Sequence, residues 1–373
     1  MAETSSSILL RVVRAIRSKL VWILLGIYVL AGVAPGPGLA MRAPSLGTIA
    51  LGPARLELGV PALLLALLIF NASLGVNAAE MKRLVKEPRV VASGLFANAA
   101  LPLSFTLAAS GLLFVWHSQN EIQALLVGLA LVSSMPIAGS STAWAQNAEG
   151  NLALSVGLVI ASTLLSPFLT PLGFHAIASV TSGDFAEDLN ELAGGNAQMF
   201  LAVAVVAPSA LGMLTHRLVG KERLARVRPL IKLINILVIL VLNYSNASVA
   251  LPRVVRAPDV DLLLLTFGVV ATMVALAFLT GRGVGELVRA KEPEKVSLMF
   301  ALGMNNNGSG LVLAATQLGD HPNIVLTIVA YNIVQQIAAG VFDHLGMRRQ
   351  RLARRDEPAQ PEEARAAAGS GAD

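Results

Sequence analysis

The sequence contains no cysteine, few charged residues and few aromatic residues. Without cysteine the chain cannot form a disulfide, a thiolate metal site or a thiol nucleophile, and the redox state of its compartment cannot be inferred. Charged residues make up only 14% of the chain, whereas soluble domains carry about 25%. Because 55% of the residues are hydrophobic, this composition excludes an ordinary soluble domain and indicates a membrane protein.

Acidic and histidine side chains are missing from the central part of every long apolar segment. The single basic residue in one of them, Lys232, lies near its end and can extend its amine to the membrane surface. Proton-coupled carriers usually place a carboxylate or histidine within the membrane, so the sequence shows no proton relay. Since paired carboxylates are absent there too, we expect no enzymatic activity and no cofactor.

Apolar runs that are long enough to cross a bilayer, at about 20 residues each, recur along most of the chain. The first follows four basic residues and so resembles a signal peptide, but the turn at Pro35–Gly38 and the lack of a clear cleavage site favour a retained helix. We predict an all-α membrane protein with ten transmembrane helices, at roughly residues 20–34, 58–76, 90–116, 122–145, 152–177, 197–214, 230–249, 262–279, 296–318 and 324–342.

The Lys and Arg residues are distributed unevenly between alternate loops. With the N-terminus in the cytoplasm, 24 of the 28 face that side, and the four outside are Arg42, Arg55, Arg253 and Arg256. This bias sets the orientation of membrane proteins, so we predict a multi-pass protein of the inner (plasma) membrane with both termini cytoplasmic and an acidic outer loop at 178–196. The net charge of +5 is then an orientation signal towards the lipid bilayer, and no binding to nucleic acid is predicted.

The predicted spans divide into two halves of five, and the fourth span of each half is interrupted by small and polar residues, at Pro136–Thr142 and at Gly303–Gly310. Paired interruptions at matching positions are typical of inverted-repeat transporters. We therefore predict a cytoplasmic N-terminal segment at 1–19, a transporter domain at 20–345 with repeats at about 20–177 and 197–345, and a disordered cytoplasmic tail at 346–373.

The second interruption carries three consecutive amides, Asn305–Asn307, between apolar flanks at Val296–Ala301 and Leu311–Ala315. Because hydrocarbon cannot hydrogen-bond free backbone groups, a broken helix is tolerated at bilayer depth only where it is protected or lines a cavity. In transporters such broken helices hold the substrate and the coupling ion near the midplane. This stretch therefore predicts a transport site.

The polar residues within the predicted spans are uncharged. Amide and hydroxyl oxygens, together with the carbonyls of unwound helices, suit Na⁺ or a polar substrate, and the N-termini of half-helices attract anionic groups. Single residues such as Asn71, Asn243 and Asn246 are more simply explained as hydrogen bonds between helices. The polar residues considered for a site are Asn98, Ser141, Thr142, Ser155, Asn305, Asn306, Asn307, Asn332, Gln335 and Gln336.

Two neighbouring stretches, Gly150–Ser155 and Ser162–Pro171, resemble the GN-x-ALS and STLL-x-P-x-LTP motifs in the fifth helix of the bile acid:sodium symporter family. Gly303–Asn306 is similar to the GMQN of its ninth helix, and Pro136–Thr142 to its broken fourth helix. The resemblance extends over spans 2–10. It implies a core domain of spans 3–5 and 8–10, in which the two broken helices cross, beside a panel domain of spans 1, 2, 6 and 7.

The chain departs from the family pattern at the sodium site that the resemblance implies. Ala301 stands where members that bind two Na⁺ ions have a glutamate, and Val159 stands where they have a threonine. The family's two glutamines are replaced by Asn98 and Asn305, and its Ser-Asn pair by Ser141 and Thr142. Ser155, Met304 and Asn306 are kept. Loss of the one anionic ligand removes the strongest attraction for a cation, so the resemblance supports transport more strongly than Na⁺ coupling.

Together these features predict a secondary active transporter that moves a small or medium organic anion by alternating access, with coupling to Na⁺ left open. A uniporter or proton-coupled carrier of the same fold and a non-transporting membrane sensor remain as alternatives. The residues expected to contact Na⁺ are Ser141, Thr142, Ser155, Met304 (through its carbonyl) and Asn305. Those expected to contact the substrate are Asn98, Asn306, Asn307 and Asn332, although Asn98, Asn306 and Asn332 could instead brace the helix crossing.

Overall fold

The computed structural model describes residues 16, 19–51, 54–75, 88–113, 115–318 and 320–356. Most of the predicted N-terminal segment, most of the basic loop after the second predicted span and the end of the predicted tail, 357–373, lie outside these residues. The last described helix continues to Asp356, through the first part of the segment predicted to be disordered.

The described chain is mainly helical, with one short β-hairpin near its beginning. In chain order the elements are α1 (Leu20–Val33), α2 (Gly36–Ala40), β1 (Ser45–Leu51), β2 (Ala54–Gly59), α3 (Val60–Ser73), α4 (Pro88–Leu113), α5 (Gln119–Ser133), α6 (Ser140–Asn147), α7 (Leu152–Ala178), α8 (Asp184–Val219), α9 (Lys221–Arg256), α10 (Val260–Leu287), α11 (Glu292–Gly303), α12 (Asn307–Gln317) and α13 (Pro322–Asp356).

Five helices are long and apolar enough to cross a membrane by length and composition: α4, α7, α8, α10 and the part of α13 up to Leu345. Shorter apolar helices occupy Trp22–Val33 and Val60–Ser73, where the first two spans were predicted. Several apolar helices of this length in one chain would expose a large apolar surface to water. The fold is therefore that of a multi-pass, mostly helical membrane protein.

Both predicted interruptions are present, and each lies between two short helices. The first lies between α5 and α6, and the second between α11 and α12. The first is shifted towards the N-terminus, because the helix resumes at Ser140 and the predicted residues Ser140–Thr142 are helical. The second interruption is shorter than predicted, because only Met304–Asn306 leave the helical conformation and α12 already begins at Asn307. The Asn306 side chain accepts a hydrogen bond from the backbone N–H of Ser309, at 3.4 Å, which caps α12 and lets the helix resume at once.

The helices pack as two groups. Helices α1 and α3 pack on α9, and α3 also packs on the second half of α8. In the other group α10 packs on α4, α11 and α13, while α13 also packs on α5 and α12. The contact between α10 and α11 is very close at Gly281, where a Cβ atom would lie 2.5 Å from the Leu298 carbonyl oxygen. Most helices thus fall into the groups that the family resemblance implies for a panel and a core, whereas α7 packs on α4 in one group and on α8 in the other.

Two features differ from the sequence prediction. A hairpin, in which Ile49 pairs with Leu56, occupies part of the segment between the first two predicted spans, and its Leu56 is buried. The acidic segment predicted as an outer loop is helical from Asp184 onward, because acidic residues in a first turn stabilise a helix and Leu189 is buried against its neighbours. A kink at Gly195, where φ is 133°, separates this acidic helix from the predicted sixth span; glycine tolerates that conformation because it has no Cβ.

Candidate functional site

The two unwound segments cross each other and form a short antiparallel bridge between Ile137 and Asn305. The backbone N–H of Ala138 donates to the Met304 carbonyl at 2.9 Å, and that of Asn306 donates to the Pro136 carbonyl at 2.8 Å. Backbone groups freed by the helix breaks are thereby satisfied without water, as the interior of a bilayer demands. The crossing holds the end of α11 and the start of α12 at fixed positions beside α5 and α6.

The amide of Gln335, on α13, pairs with the backbone of Asn305. Its Oε1 accepts from the Asn305 N–H at 3.1 Å, and its Nε2 donates to the Asn305 carbonyl at 3.3 Å. The Asn305 side chain in turn donates through Nδ2 to the Val132 carbonyl at 3.0 Å. Gln335 is one of the polar residues within the predicted spans, but no role was predicted for it, because nothing in the sequence brings α13 to the crossing.

Several buried polar atoms beside the crossing have no hydrogen-bond partner within the described residues. They are Ser141 Oγ, Asn305 Oδ1, both amide atoms of Asn307, and Ser309 Oγ. An unsatisfied polar group in a protein interior costs about 1–3 kcal/mol. A group of such atoms at the break between two half-helices is therefore suited to binding a polar ligand or a cation that would satisfy them.

Ser155, another predicted ligand, is fully buried on α7. Its hydroxyl donates to the Asn151 carbonyl at 3.2 Å, and Ser297 on α11 donates to the same carbonyl at 2.9 Å. The backbone N–H of Asn151 donates to the Pro293 carbonyl at 2.8 Å, so the start of α7 is fastened to α11. Ser155 keeps its oxygen lone pairs available while its proton is used, which is compatible with a cation-ligand role.

The remaining predicted ion ligands already take part in hydrogen bonds within the protein. Thr142 Oγ1 donates to the Gly139 carbonyl at 2.7 Å, within its own turn. The Met304 carbonyl already accepts the bond from Ala138 and has one lone pair left. Helices α6, α7 and α11, which carry Ser141, Ser155 and Met304, all pack against one another.

Ala301, at the position where the resemblance implies a glutamate, is fully buried in an apolar cluster. The cluster includes Ile137, Leu154 and Leu158, and Val159 packs against it. On this side the crossing therefore packs against apolar side chains. Because a cation leaving water needs either a counter-charge or a full set of oxygen ligands, this part of the crossing is a poor cation site.

The N-terminus of α12 faces the other helix group. A Cβ atom at Gly308 would lie 3.8 Å from Leu65 on α3, so this helix start lies at the boundary between the two groups. Asn306, which caps the helix, is partly exposed, whereas Asn307 is buried. Backbone N–H groups at a helix start and the helix dipole favour an anionic group.

Asn98 lines a cavity of about 300 Å³ between α4, α7 and the end of α5. Its Oδ1 has no partner among the described residues. Pro136, at the crossing, lines the same cavity, and so does Ser162, whose hydroxyl accepts from the Ile137 N–H at 3.1 Å. The mouth of the cavity is apolar, since Phe96 and Leu172 are exposed there.

Asn332, on α13, forms hydrogen bonds with residues of two other helices. Its Nδ2 donates to the Tyr28 hydroxyl at 2.7 Å and to Asn243 Oδ1 at 3.2 Å, and Tyr28 donates to the same Oδ1 at 2.7 Å. This cluster joins α13 to α1 and α9. The interpretation of Asn243 as an interhelical hydrogen bond is confirmed. It also holds for Asn71, which donates to Asn235 Oδ1 at 2.9 Å.

Comparison with known proteins gives three relatives that each match two thirds or more of this chain. The chain is 27% identical over 289 residues to "Uncharacterized protein YbaS" of Bacillus subtilis (strain 168), covering 75% of this chain and 86% of that protein. It is 29% identical over 255 residues to "Uncharacterized sodium-dependent transporter YocS" of the same organism, covering 67% and 72%. It is also 26% identical over 272 residues to "Probable sodium/metabolite cotransporter BASS1, chloroplastic" of Oryza sativa subsp. japonica, covering 71% and 61%.

A family model provides the decisive match. The model described as the Sodium Bile acid symporter family matches residues 62–254, which is just over half of the 373-residue chain. This range includes the first broken helix and the motifs of α7 on which the resemblance rested. The chain belongs to the Sodium Bile acid symporter family and is a membrane transporter.

Proposed function

We propose that this protein is a secondary active transporter that carries a small or medium organic anion across the inner (plasma) membrane by alternating access. The observation that carries the proposal is the crossing of the two broken helices. It places buried oxygen and nitrogen atoms that have no partner among the described residues, on Ser141, Asn305 and Asn307, beside the boundary between the two groups of helices. The names of two relatives, a sodium-dependent transporter and a probable sodium/metabolite cotransporter, agree with this activity.

In the proposed architecture ten spans form two inverted repeats of five, and both termini are cytoplasmic. The fourth span of the first repeat comprises α5 and α6, and the corresponding span of the second comprises α11 and α12. The panel group would move against the core group and expose the start of α12 to each side in turn. An anionic substrate is favoured because the site offers helix N-termini and amides without any intramembrane carboxylate.

The proposed orientation is tested by labelling. The cysteine-free chain allows single cysteines to be introduced and probed with a membrane-impermeant maleimide in intact cells. We expect Lys221→Cys, at the start of α9 and exposed, to stay unlabelled until the cells are permeabilised. Asp184→Cys, on the acidic helix, is expected to react at once and serves as the control. Strong labelling of Lys221→Cys in intact cells would contradict the ten-span orientation.

Transport is expected to depend only weakly on Na⁺, because Ala301 lies among Ile137, Leu154 and Leu158 and provides no carboxylate. Ala301→Glu is expected to increase the Na⁺ dependence, since a negative charge in a low-dielectric site attracts a cation strongly. The larger side chain also costs about 1–3 kcal/mol by overpacking. Val159→Thr adds a hydroxyl beside it with little change in volume and is combined with Ala301→Glu in a double variant.

The measurement is uptake of a radiolabelled organic anion into proteoliposomes over a Na⁺ titration at constant ionic strength, in the wild type and both variants. Uptake by the wild type that needs neither Na⁺ nor a proton gradient would favour the uniporter. Steep dependence on millimolar Na⁺ in the wild type would show that the carboxylate is dispensable and that neutral oxygens suffice. Absence of uptake for all anions, with retained binding, would favour the sensor.

A further inference from the structure

Arg42, between α2 and the hairpin, lies in the interface between the two groups of helices. Its guanidinium donates through Nη1 to Asn246 Oδ1 on α9, at 2.7 Å, and through Nη2 to the Ala315 carbonyl on α12. Asn246 is fully buried and Arg42 is partly buried. A single cation therefore bridges a panel helix and the second half of the broken core helix.

Both acceptors that Arg42 uses are neutral. No carboxylate forms an ion pair with it in the part of the chain that the structure describes. Burial lowers the pKa of the Arg42 guanidinium, although arginine stays charged at any physiological pH. A guanidinium has five N–H donors, and two are used here. A partly buried cation with unused donors and no counter-charge favours the approach of an anion.

Asn246 provides a second, independent sign of a missing acceptor. Because guanidinium groups only donate, the bond from Arg42 assigns Oδ1 of Asn246 as the acceptor, so Nδ2 needs an acceptor of its own. That Nδ2 is buried and has no partner among the described residues. Capping of the α12 carbonyls by Arg42 accounts for the Ala315 contact, but it does not explain why the Nδ2 donor of Asn246 has no acceptor.

We propose that Arg42 and Asn246 form an anion-binding subsite for the carboxylate or other monoanionic group of the transported molecule. The inference rests on the proposed function and adds a specific recognition group to it. The subsite lies at the C-terminal end of α12, whereas the polar crossing lies at its N-terminal end. In the proposed orientation this is the outer end of the interface, so the anion would meet Arg42 on its way to or from the crossing.

Binding there would also loosen the bridge between the helix groups. An anion that takes the Nη donors competes with Asn246 Oδ1 and the Ala315 carbonyl for the same hydrogens. A carboxylate carries a full negative charge and can accept two parallel N–H bonds from a guanidinium, so it is favoured over both present acceptors, which are neutral. Occupation of the subsite would thus release α9 from α12, as opening of the interface between the two groups requires.

Binding is measured first without transport, by thermal unfolding of the purified full-length protein in detergent. The probe is benzoate, compared with its neutral isostere benzamide and with chloride at the same ionic strength. We expect benzoate alone to stabilise the wild type. Arg42→Gln should raise the apparent Kd for benzoate roughly ten- to a hundredfold, as loss of a charged hydrogen-bonding partner implies. Asn246→Leu should raise it less, and Arg42→Lys should retain part of the binding.

The matched control is Arg55→Gln, which removes the same charge from an exposed position on the neighbouring hairpin. It should bind benzoate as the wild type does. Equal stabilisation of the wild type and Arg42→Gln would overturn the subsite and leave the proposed function standing. No stabilisation of the wild type by benzoate would overturn the subsite too, while proteoliposome uptake would decide separately on transport.

A chemical rescue covers the case in which Arg42→Gln does not fold. Arg42→Cys, the only cysteine in the chain, can be modified after purification with a methanethiosulfonate that adds either an ethylammonium or an ethylsulfonate group. Restored benzoate binding with the cationic adduct, and none with the anionic adduct, is the expected result. Identical behaviour of the two adducts would show that positive charge at this position is irrelevant.

Discussion

Replacing Gln335 with leucine is expected to abolish transport and to lower the thermal stability of the protein markedly. Its amide is the partner of both the N–H and the carbonyl of Asn305, at a point where the residue itself is buried. Leucine would leave the Asn305 N–H without a partner, and the Asn305 carbonyl would keep only its bond from the Asn307 N–H, at 2.9 Å. Each unsatisfied buried group costs about 1–3 kcal/mol, a large fraction of the roughly 5–15 kcal/mol that stabilises a typical folded protein.

The next residue offers a matched control. Gln336 is only partly exposed, lines a small cavity with Tyr28 and Asn332, and has no hydrogen bond assigned to the crossing. Gln336→Leu makes the same chemical change one position along α13, and we expect it to alter stability little. Unfolding in detergent, followed by tryptophan fluorescence, compares the two variants. Equal melting temperatures for Gln335→Leu and the wild type would show that the crossing does not need this clamp.

Replacing Asn306 with alanine is expected to reduce substrate affinity strongly while leaving most of the protein folded. If the amide contacts the substrate, its loss costs roughly 1–3 kcal/mol, which corresponds to about a 5- to 150-fold weaker affinity. The structure adds a second role, because Asn306 caps α12 through a bond of 3.4 Å to the Ser309 N–H. Loss of an N-cap alone costs about 1 kcal/mol.

Asn306→Ser separates the two roles. Serine is as good an N-cap as asparagine, but its shorter side chain cannot reach a substrate that the amide contacts. We expect uptake to stay low in Asn306→Ser although the melting temperature recovers. Uptake into proteoliposomes at several substrate concentrations, with protein content matched, gives the KM of each variant. Recovery of transport with serine would mean that Asn306 acts on α12 alone, and the substrate contact would have to be sought at Asn307.

Some of the candidate site was predictable because it depends on local patterns. The two helix breaks were predicted from small and polar residues inside apolar runs. Such breaks are tolerated at membrane depth only where the freed backbone groups are protected or line a cavity. The replacement of the family's glutamate by the apolar Ala301 was also predicted, because the position is identified from a neighbouring motif that is four residues long. The clamp by Gln335 was not predictable, because its partner lies 30 positions away and no spacing rule connects α13 to the crossing.

Other predictions were wrong or incomplete for physical reasons that the structure makes plain. The acidic segment was predicted as a loop from its charge, but its buried Leu189 and acidic first turn make it an amphipathic helix. The interruption of the ninth span was predicted to reach Gly310, but the cap at Asn306 ends it sooner. Asn332 was expected to contact the substrate or to brace the helix crossing, and the structure adds hydrogen bonds to Tyr28 and Asn243 that link helices.

The sequence by itself determined the membrane environment, the helical class, the places where the helices break and the family, because hydrophobicity, glycine and proline act through neighbouring residues. Only the tertiary structure decided which polar groups meet. The contacts of Arg42 with Asn246 and Ala315, and those of Asn305 with Gln335 and Val132, join segments that are distant in the chain. Such pairings are set by the packing of whole helices, which fixes which side chains face one another and which buried atoms keep no partner.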